Sequence, residues 1–158
     1  MAGSIETGST APEFVLSGGV LRDSDFARGA YRLDTGRARP LVLAFYPQDN
    51  SSVCTKQLCS YSSGLEQFTE LGAEVWAISP QDIDSHEEFA RKNNLRIPLL
   101  SDPDRTVAKL FGVAAPGVGL RRSVFLIAPG GRIAWKHAAL VGLTWQPLEK
   151  LTTELALL

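Results

Sequence analysis

One uninterrupted apolar segment constrains the fold of this chain more than any other feature of its sequence. Residues 40–46 read PLVLAFY, a run of strand length without a charged side chain, and Pro47 follows directly. A strand with one face in water alternates apolar and polar residues, whereas a nearly continuous apolar run is typical of a central strand covered on both faces. The segment therefore predicts a sheet with secondary structure packed on both sides.

The next part of the sequence alternates between the helical and the strand period. One apolar stripe recurs at steps of four and three residues, as on one face of a helix, and consists of Cys54, Leu58, Tyr61, Leu65 and Phe68. Gly72 is predicted to end this helix. Four more elements are predicted after it. They are a buried strand at 73–79, a charged helix from Asp84 or Ser85 onward, a short strand at 97–100 and a helix at 104–111.

The last third of the chain predicts an antiparallel hairpin and a closing helix. Residues 123–128 and 132–137 have strand character, and Pro129-Gly130-Gly131 between them is a turn signal. Residues 145–157 predict a helix, whereas the opening before residue 40 is predicted to be irregular. This order predicts an α/β fold with a central mixed β-sheet flanked by helices, similar to thioredoxin-like proteins.

Length and charge narrow the possible functions. The chain has 158 residues and a formal charge of −1, so we expect one domain over 1–158, with no basic surface for nucleic acid or an anionic membrane. The N-terminus has neither a basic stretch nor an apolar run, and no segment approaches the roughly 20 apolar residues of a membrane span. We therefore expect a cytoplasmic protein, in which a close pair of thiols is more often catalytic or metal-binding than structural.

Both cysteines of the chain lie just after the apolar strand, in the stretch NSSVCTKQLCS. Ser51 and Ser52 are each good N-cap residues, so Cys54 is predicted in the first turn of a helix. Unpaired backbone N–H groups and the positive end of the helix dipole favour a thiolate there. Cys54 is therefore a candidate nucleophile.

Cys59 follows five residues later. On a regular helix this spacing gives a rotation of about 140°, a rise of about 7.5 Å and a Cα separation of about 8.6 Å. A disulfide requires Cα atoms within about 7 Å. Cys54 and Cys59 can therefore form a disulfide only if the start of the helix unwinds.

Two other interpretations of the thiols remain open at this point. Cys54 lies on the apolar stripe and could be buried as a small hydrophobic residue. Cys54, Cys59, His86 and His137 could bind zinc, although a spacing of five within one helix suits a chelate poorly. His86 is otherwise predicted to lie on a solvated helix face.

Several motifs together resemble the peroxiredoxin family. Pro47, Ser51 and Cys54 match its signature, in which Pro, three residues, Thr or Ser, two residues and Cys form the peroxide site. The second Cys five positions later is similar to the bacterioferritin-comigratory, or peroxiredoxin Q, subfamily. So are the segments APEFVL, VWAISPQD, IPLLSDPDRTVAKLFGV and RRSVFLIAPGGRI.

The resemblance implies a thiol-dependent peroxidase that acts on hydrogen peroxide and organic hydroperoxides. Cys54 would be the peroxidatic cysteine, Cys59 the resolving cysteine, and Ser51 and Pro47 parts of the site. Thioredoxin or a similar dithiol would recycle the enzyme, without metal or organic cofactor. We expect a monomer, at most a weak dimer.

The resemblance also implies an Arg three residues ahead of an aromatic in the hairpin strand, and counting back from Phe125 gives Arg122. Its neighbour Arg121 would point to the opposite side of a strand, so only one of the two can reach Cys54.

Ser52 and Val53 depart from the Pro-Gly that usually precedes the reactive Cys, and Val53 places a branched side chain beside the peroxide entrance.

Two functions of other classes were weighed against the peroxidase. One is a thiol–disulfide oxidoreductase on the same fold, whose usual Cys pair is separated by two residues rather than four. The other is a redox sensor that signals when Cys54 is oxidised. Rapid reaction with peroxide distinguishes the peroxidase from both.

Overall fold

The computed structural model of the protein describes residues 5–115, 119–138 and 145–158. The strands within these residues are β1 (Phe14–Arg22), β2 (Asp25–Leu33), β3 (Leu41–Phe45), β4 (Glu74–Ser79), β5 (Leu99–Ser101), β6 (Ala114–Ala115), β7 (Gly119–Leu120), β8 (Ser123–Ile127) and β9 (Ile133–Ala138). The helices are α1 (Ser52–Ser63), α2 (Leu65–Glu70), α3 (Ile83–Asn93), α4 (Thr106–Leu110) and α5 (Leu148–Leu155).

Seven of these strands form one sheet in the order β2-β1-β5-β4-β3-β8-β9, and β6 pairs with β7 separately. The central strand β3 pairs parallel with β4 and antiparallel with β8. β4 continues parallel to β5, and the β1–β2 and β8–β9 pairs are antiparallel. The predicted mixed sheet is therefore confirmed, with the apolar run 40–46 at its centre.

Strand β3 is buried on both faces. Val42, Ala44 and the following Tyr46 belong to one apolar cluster, together with side chains of α1, α2, α3 and α5. Leu43 and Phe45 point to the other face and pack in a second cluster with α4. This arrangement confirms the expectation from sequence and places α1, with both cysteines, against one face of the sheet.

The chain before residue 40 is not irregular as predicted, because β1 and β2 form a hairpin paired along their whole length. The glycine pair Gly18-Gly19 in β1 obscured it, since glycine in a strand suggests a turn. Packing explains both glycines: a Cβ at Gly18 would lie 2.9 Å from the carbonyl oxygen of Leu99, and a Cβ at Gly19 would lie 2.2 Å from the ring of Phe26 on the neighbouring strand. Gly19 makes room for a cross-strand aromatic ring.

The helix predicted to run to Gly72 is divided. α1 ends at Ser63, and α2 begins at Leu65 after a break at Gly64. A Cβ at Gly64 would lie 2.3 Å from the side chain of Leu148 in α5. A contact with a helix that lies more than eighty positions further along the chain therefore occupies this position, and the local stripe carried no sign of it.

Other element boundaries shift by a few residues. α3 begins at Ile83, because Asp82 is its N-cap and accepts a hydrogen bond from the Ser85 backbone N–H. The last helix is shorter than predicted, since Pro147 occupies its N-cap position. Among the residues that the structure describes, none of the helices is both long and apolar enough to cross a lipid bilayer.

Candidate active site

Cys54 lies in the first turn of α1, directly after the loop that leaves β3. Ser51 is the N-cap, and its Oγ accepts a hydrogen bond from the backbone N–H of Cys54 at 3.2 Å. The carbonyl of Ser51 accepts from Thr55 through both its backbone N–H and its hydroxyl. Of the two serines predicted as caps, Ser51 therefore fixes the start of the helix.

Arg122 brings a guanidinium to the sulfur of Cys54. Its Nη2 lies 3.1 Å from Sγ, and the residue is only 3% exposed. Arg122 directly precedes β8, and strand alternation gives it the same side as Val124 and Leu126, which pack in the apolar cluster of α1. Arg121 has the opposite side and is exposed. The tertiary fold thus joins two residues that are 68 positions apart.

Gln57 belongs to the same site and was not identified from sequence. It is fully buried one turn after Cys54, and its Oε1 accepts a 2.6 Å hydrogen bond from Nη1 of Arg122. The signal was present: Gln57 is a polar residue on the face of the predicted apolar stripe. A buried amide needs partners, and the buried guanidinium is one of them.

A hydrogen-bonded chain continues from Gln57 into the core. Gln57 Nε2 donates to the Tyr61 hydroxyl at 3.3 Å, and Tyr61 donates to the carbonyl of Gln146 at 2.6 Å. Burial raises the pKa of Tyr61 to about 12. Tyr61 therefore remains a phenol across the physiological pH range and keeps Gln57 in place.

Pro47 lies in the loop between β3 and α1. Pro47 is half-buried, and its carbonyl accepts a long hydrogen bond of 3.5 Å from Gln81 Nε2. The backbone N–H of Asp49 donates to Gln81 Oε1 at 2.9 Å. The loop between β3 and α1 is thereby attached to the segment between β4 and α3.

The prediction that His86 lies on a solvated helix face was wrong. His86 is fully buried, with Nδ1 2.7 Å from Oδ2 of Asp49 and Nε2 3.0 Å from the carbonyl of Leu100. The prediction rested on charged neighbours in the sequence. At helical spacing, however, His86 shares a face with Phe89 and Ala90, which are buried.

Cys59 lies further along α1 and is half-buried. Both cysteines are free thiols, and the helix between them is continuous. Burial raises the pKa of Cys59 above its ordinary value. In this conformation Cys59 is a protonated thiol that is held away from its potential partner.

The geometry bears on the two competing interpretations of Cys54. The sulfur is fully buried, as a small hydrophobic residue would be, yet it lies next to a buried cation and the N-terminus of a helix. Both features favour a negatively charged sulfur, which an inert apolar cysteine does not need. Among the residues described by the structure, no group of three or more His, Cys, Asp or Glu side chains could hold a metal ion.

Comparisons with known proteins bear on this arrangement. The model of the AhpC/TSA family matches residues 7–136. Peroxiredoxin Q, chloroplastic, from Oryza sativa subsp. japonica is 42% identical over 115 residues, which is 73% of this chain and 50% of that protein. Peroxiredoxin Bcp from Bacillus subtilis is 33% identical over 140 residues, covering 82% of this chain and 83% of that protein.

A solved structure gives the same result for the fold. Peroxidoxin BcpB from Mycobacterium tuberculosis superposes with a TM-score of 0.82 at 26% identity, over 97% of each chain. The chain spans about half the length of the plant relatives that it matches. The family match covers most of the sequence and includes the cysteine helix and the strand after Arg122, and the chain therefore belongs to the AhpC/TSA family.

Proposed function

We propose that this protein is a thiol-dependent peroxidase that reduces hydrogen peroxide and organic hydroperoxides. The observation that carries the proposal is the 3.1 Å contact between Arg122 Nη2 and Cys54 Sγ at the start of α1. A guanidinium and unpaired helix amides can stabilise both a thiolate and the negative charge that develops on peroxide oxygens.

In the first step the Cys54 thiolate attacks the distal oxygen of the hydroperoxide. The O–O bond breaks and an S–O bond forms, so the sulfur is oxidised by two electrons to a sulfenic acid. With one proton, the other oxygen leaves as water or an alcohol. Arg122 and the Ser51 hydroxyl stabilise the charge during this displacement, and Pro47 shields the site from water, which limits further oxidation of the sulfur.

In the second step Cys59 condenses with the sulfenic acid. An S–S bond forms and the sulfenic oxygen leaves with two protons as water. Because both cysteines lie in one continuous helix with Cα atoms about 8.6 Å apart in ideal geometry, the start of α1 must unwind first. The disulfide is then reduced by exchange with thioredoxin or a similar dithiol, and no metal or organic cofactor takes part.

One coupled assay tests this proposal. Hydrogen peroxide consumption is followed through NADPH oxidation with thioredoxin and thioredoxin reductase, using the wild-type protein, Cys54→Ser and Cys59→Ser. We expect steady turnover for the wild type and none for Cys54→Ser. Cys59→Ser should consume about one equivalent of peroxide and then stop, with sulfenic acid trapped by dimedone.

The same assay separates the peroxidase from related thiol functions. A thiol–disulfide oxidoreductase would exchange disulfides but react with peroxide no faster than a free cysteine. Such a result for the wild type would overturn the peroxidase proposal. Full turnover by Cys59→Ser would refute only the resolving role of Cys59 and leave the peroxidase proposal standing.

A further inference from the structure

A buried Asp–His pair joins the loop that carries Pro47 and Ser51 to α3. Asp49 is only 4% exposed and His86 is fully buried. Oδ2 of Asp49 lies 2.7 Å from His86 Nδ1 and also accepts from the Ser85 hydroxyl at 2.8 Å, while Oδ1 accepts from the Tyr46 hydroxyl at 2.6 Å. None of these residues is used in the chemistry described above.

The contacts of the imidazole favour one protonation state. Nε2 faces the Leu100 carbonyl, which only accepts, and Nδ1 faces the carboxylate of Asp49, which also accepts. If Asp49 is ionised, both contacts are hydrogen bonds only when each ring nitrogen carries a hydrogen. An imidazolium, with a hydrogen on each ring nitrogen, donates to both acceptors and compensates the charge of Asp49, as a buried carboxylate requires.

Tyr46 connects this pair with Cys54. Burial, followed by the charge of Asp49, raises the pKa of Tyr46 well above its ordinary value, and the charge of Cys54 acts in the same direction. The phenol thus remains a donor to Asp49 and lies within the field of both groups. A negative charge on Asp49 that is not compensated would consequently oppose a negative charge on the Cys54 sulfur.

The pair also fixes the backbone of the loop. Asn50 has a positive φ of 64°, in the left-handed region that Asn adopts more readily than most other non-glycine residues. Asp49 on one side is held by His86, and Ser51 on the other side caps α1. Release of Asp49 would leave this turn, and with it the N-cap of α1, without one of its contacts.

We propose that His86 is a positioning residue of the peroxide site, which as an imidazolium neutralises Asp49, holds the loop before α1 and so favours the thiolate of Cys54. This role rests on the proposed function in one respect, because the thiolate matters only if Cys54 is the nucleophile.

Other charged groups near the pair have their own partners. Arg122 contacts Cys54, Asp84 and Glu87 of α3 bind Arg28, and Asp82 caps α3.

The test measures the rate at which iodoacetamide alkylates Cys54 as a function of pH, in a Cys59→Ser background. Only the thiolate is alkylated, so the profile reports its population without any peroxide. His86→Gln leaves Asp49 uncompensated, so we expect the profile to move to higher pH, with alkylation about tenfold slower at pH 7. Adding Asp49→Asn removes the opposing charge and should restore the rate to within about threefold.

His137→Gln is the matched control, since His137 is the other histidine of the chain and lies on β9. It should leave the profile unchanged. A His86→Gln profile identical to that of the background, or one that Asp49→Asn does not restore, would overturn the proposal. Absence of peroxide turnover with the expected alkylation profiles would instead overturn the proposed function and leave the role of His86 intact.

A second measurement does not depend on the folding of a variant. Nitrogen-15 NMR of the wild-type imidazoles distinguishes an imidazolium, with hydrogen on both nitrogens, from a neutral ring. We expect His86 to show two ring N–H signals at pH 7 that exchange slowly with solvent. A single N–H on His86, with Nδ1 unprotonated, would mean that Asp49 carries the proton, and the proposal would fail.

Discussion

Gln57 Oε1 accepts a hydrogen bond of 2.6 Å from Nη1 of Arg122, so the guanidinium that contacts Cys54 is bound to the helix that carries Cys54. One nitrogen of the guanidinium faces the amide and another faces the sulfur. The orientation of Arg122 therefore depends on α1 being folded. When the start of α1 unwinds, Arg122 can therefore lose its contacts with both the Cys54 sulfur and Gln57.

Substitution of Gln57 should consequently impair the reaction with peroxide. Gln57→Leu removes a hydrogen bond to a charged group, worth about 1.5–3 kcal/mol, and with it a contact that orients the guanidinium of Arg122. We expect the second-order rate constant for peroxide, measured by stopped-flow fluorescence, to fall by at least about tenfold. Gln67→Leu, the same change on the exposed face of α2, is the control. Equal rate constants for the two variants would show that Gln57 does not orient Arg122.

The two adjacent arginines provide a sharper comparison. Arg122→Met removes the cation beside the sulfur while keeping much of the buried volume, and we expect peroxide reactivity to fall by about 10²–10³. Arg121→Met changes an exposed residue and should retain wild-type reactivity. Circular dichroism checks that both proteins are folded. A similar loss in both variants would contradict the assignment of the site to Arg122.

Formation of the disulfide should accelerate as pH rises. Burial raises the pKa of Cys59, so its thiolate is scarce at neutral pH and increases through and beyond the ordinary range of a thiol. A raised pKa for this acid also means that deprotonation favours conformations in which Cys59 is exposed, so higher pH promotes unwinding of α1. Rapid-quench mass spectrometry after a peroxide pulse measures the rate. A rate independent of pH from 6 to 9 would contradict the dependence of this step on the Cys59 thiolate.

Gly19 should be intolerant of a side chain. The Cβ of Gly19→Ala would lie 2.2 Å from the ring of Phe26, which must move, and we expect a loss of about 1–3 kcal/mol in the free energy of unfolding by urea. Gly29→Ala, on the partner strand with open space around its Cβ, should change stability by less than about 0.5 kcal/mol. A Phe26→Ala background should reduce the penalty at Gly19. An unchanged penalty would mean that a contact other than the ring occupies this space.

The central strand and the start of α1 could be predicted from local sequence. The run 40–46 has no polar face, so burial on both sides was the only arrangement without a large cost of exposure. Ser51 and Cys54 follow it within one helical turn, and capping is a contact between near neighbours in the chain. Arg122 could be predicted only through its resemblance to a family motif.

Other features required the tertiary structure. The N-terminal hairpin depends on a ring of one strand packing on a glycine of the next, and the break at Gly64 depends on Leu148. The local sequence predicted an irregular opening and one continuous helix at these two places. Intrinsic propensity depends on a residue and its neighbours in the chain, whereas these two features depend on contacts between residues that meet only after folding.

The sequence by itself determined that a buried strand leads into a capped helix with a cysteine in its first turn, because these elements depend on short-range periodicity and hydrogen bonding. Only the tertiary structure decided which buried polar groups meet at and near that cysteine. Arg122 meets the sulfur and Gln57, Asp49 meets His86, and each of these residues is buried. A buried polar group must find its partner in space, so its role is decided by which segments pack together and not by its position along the sequence.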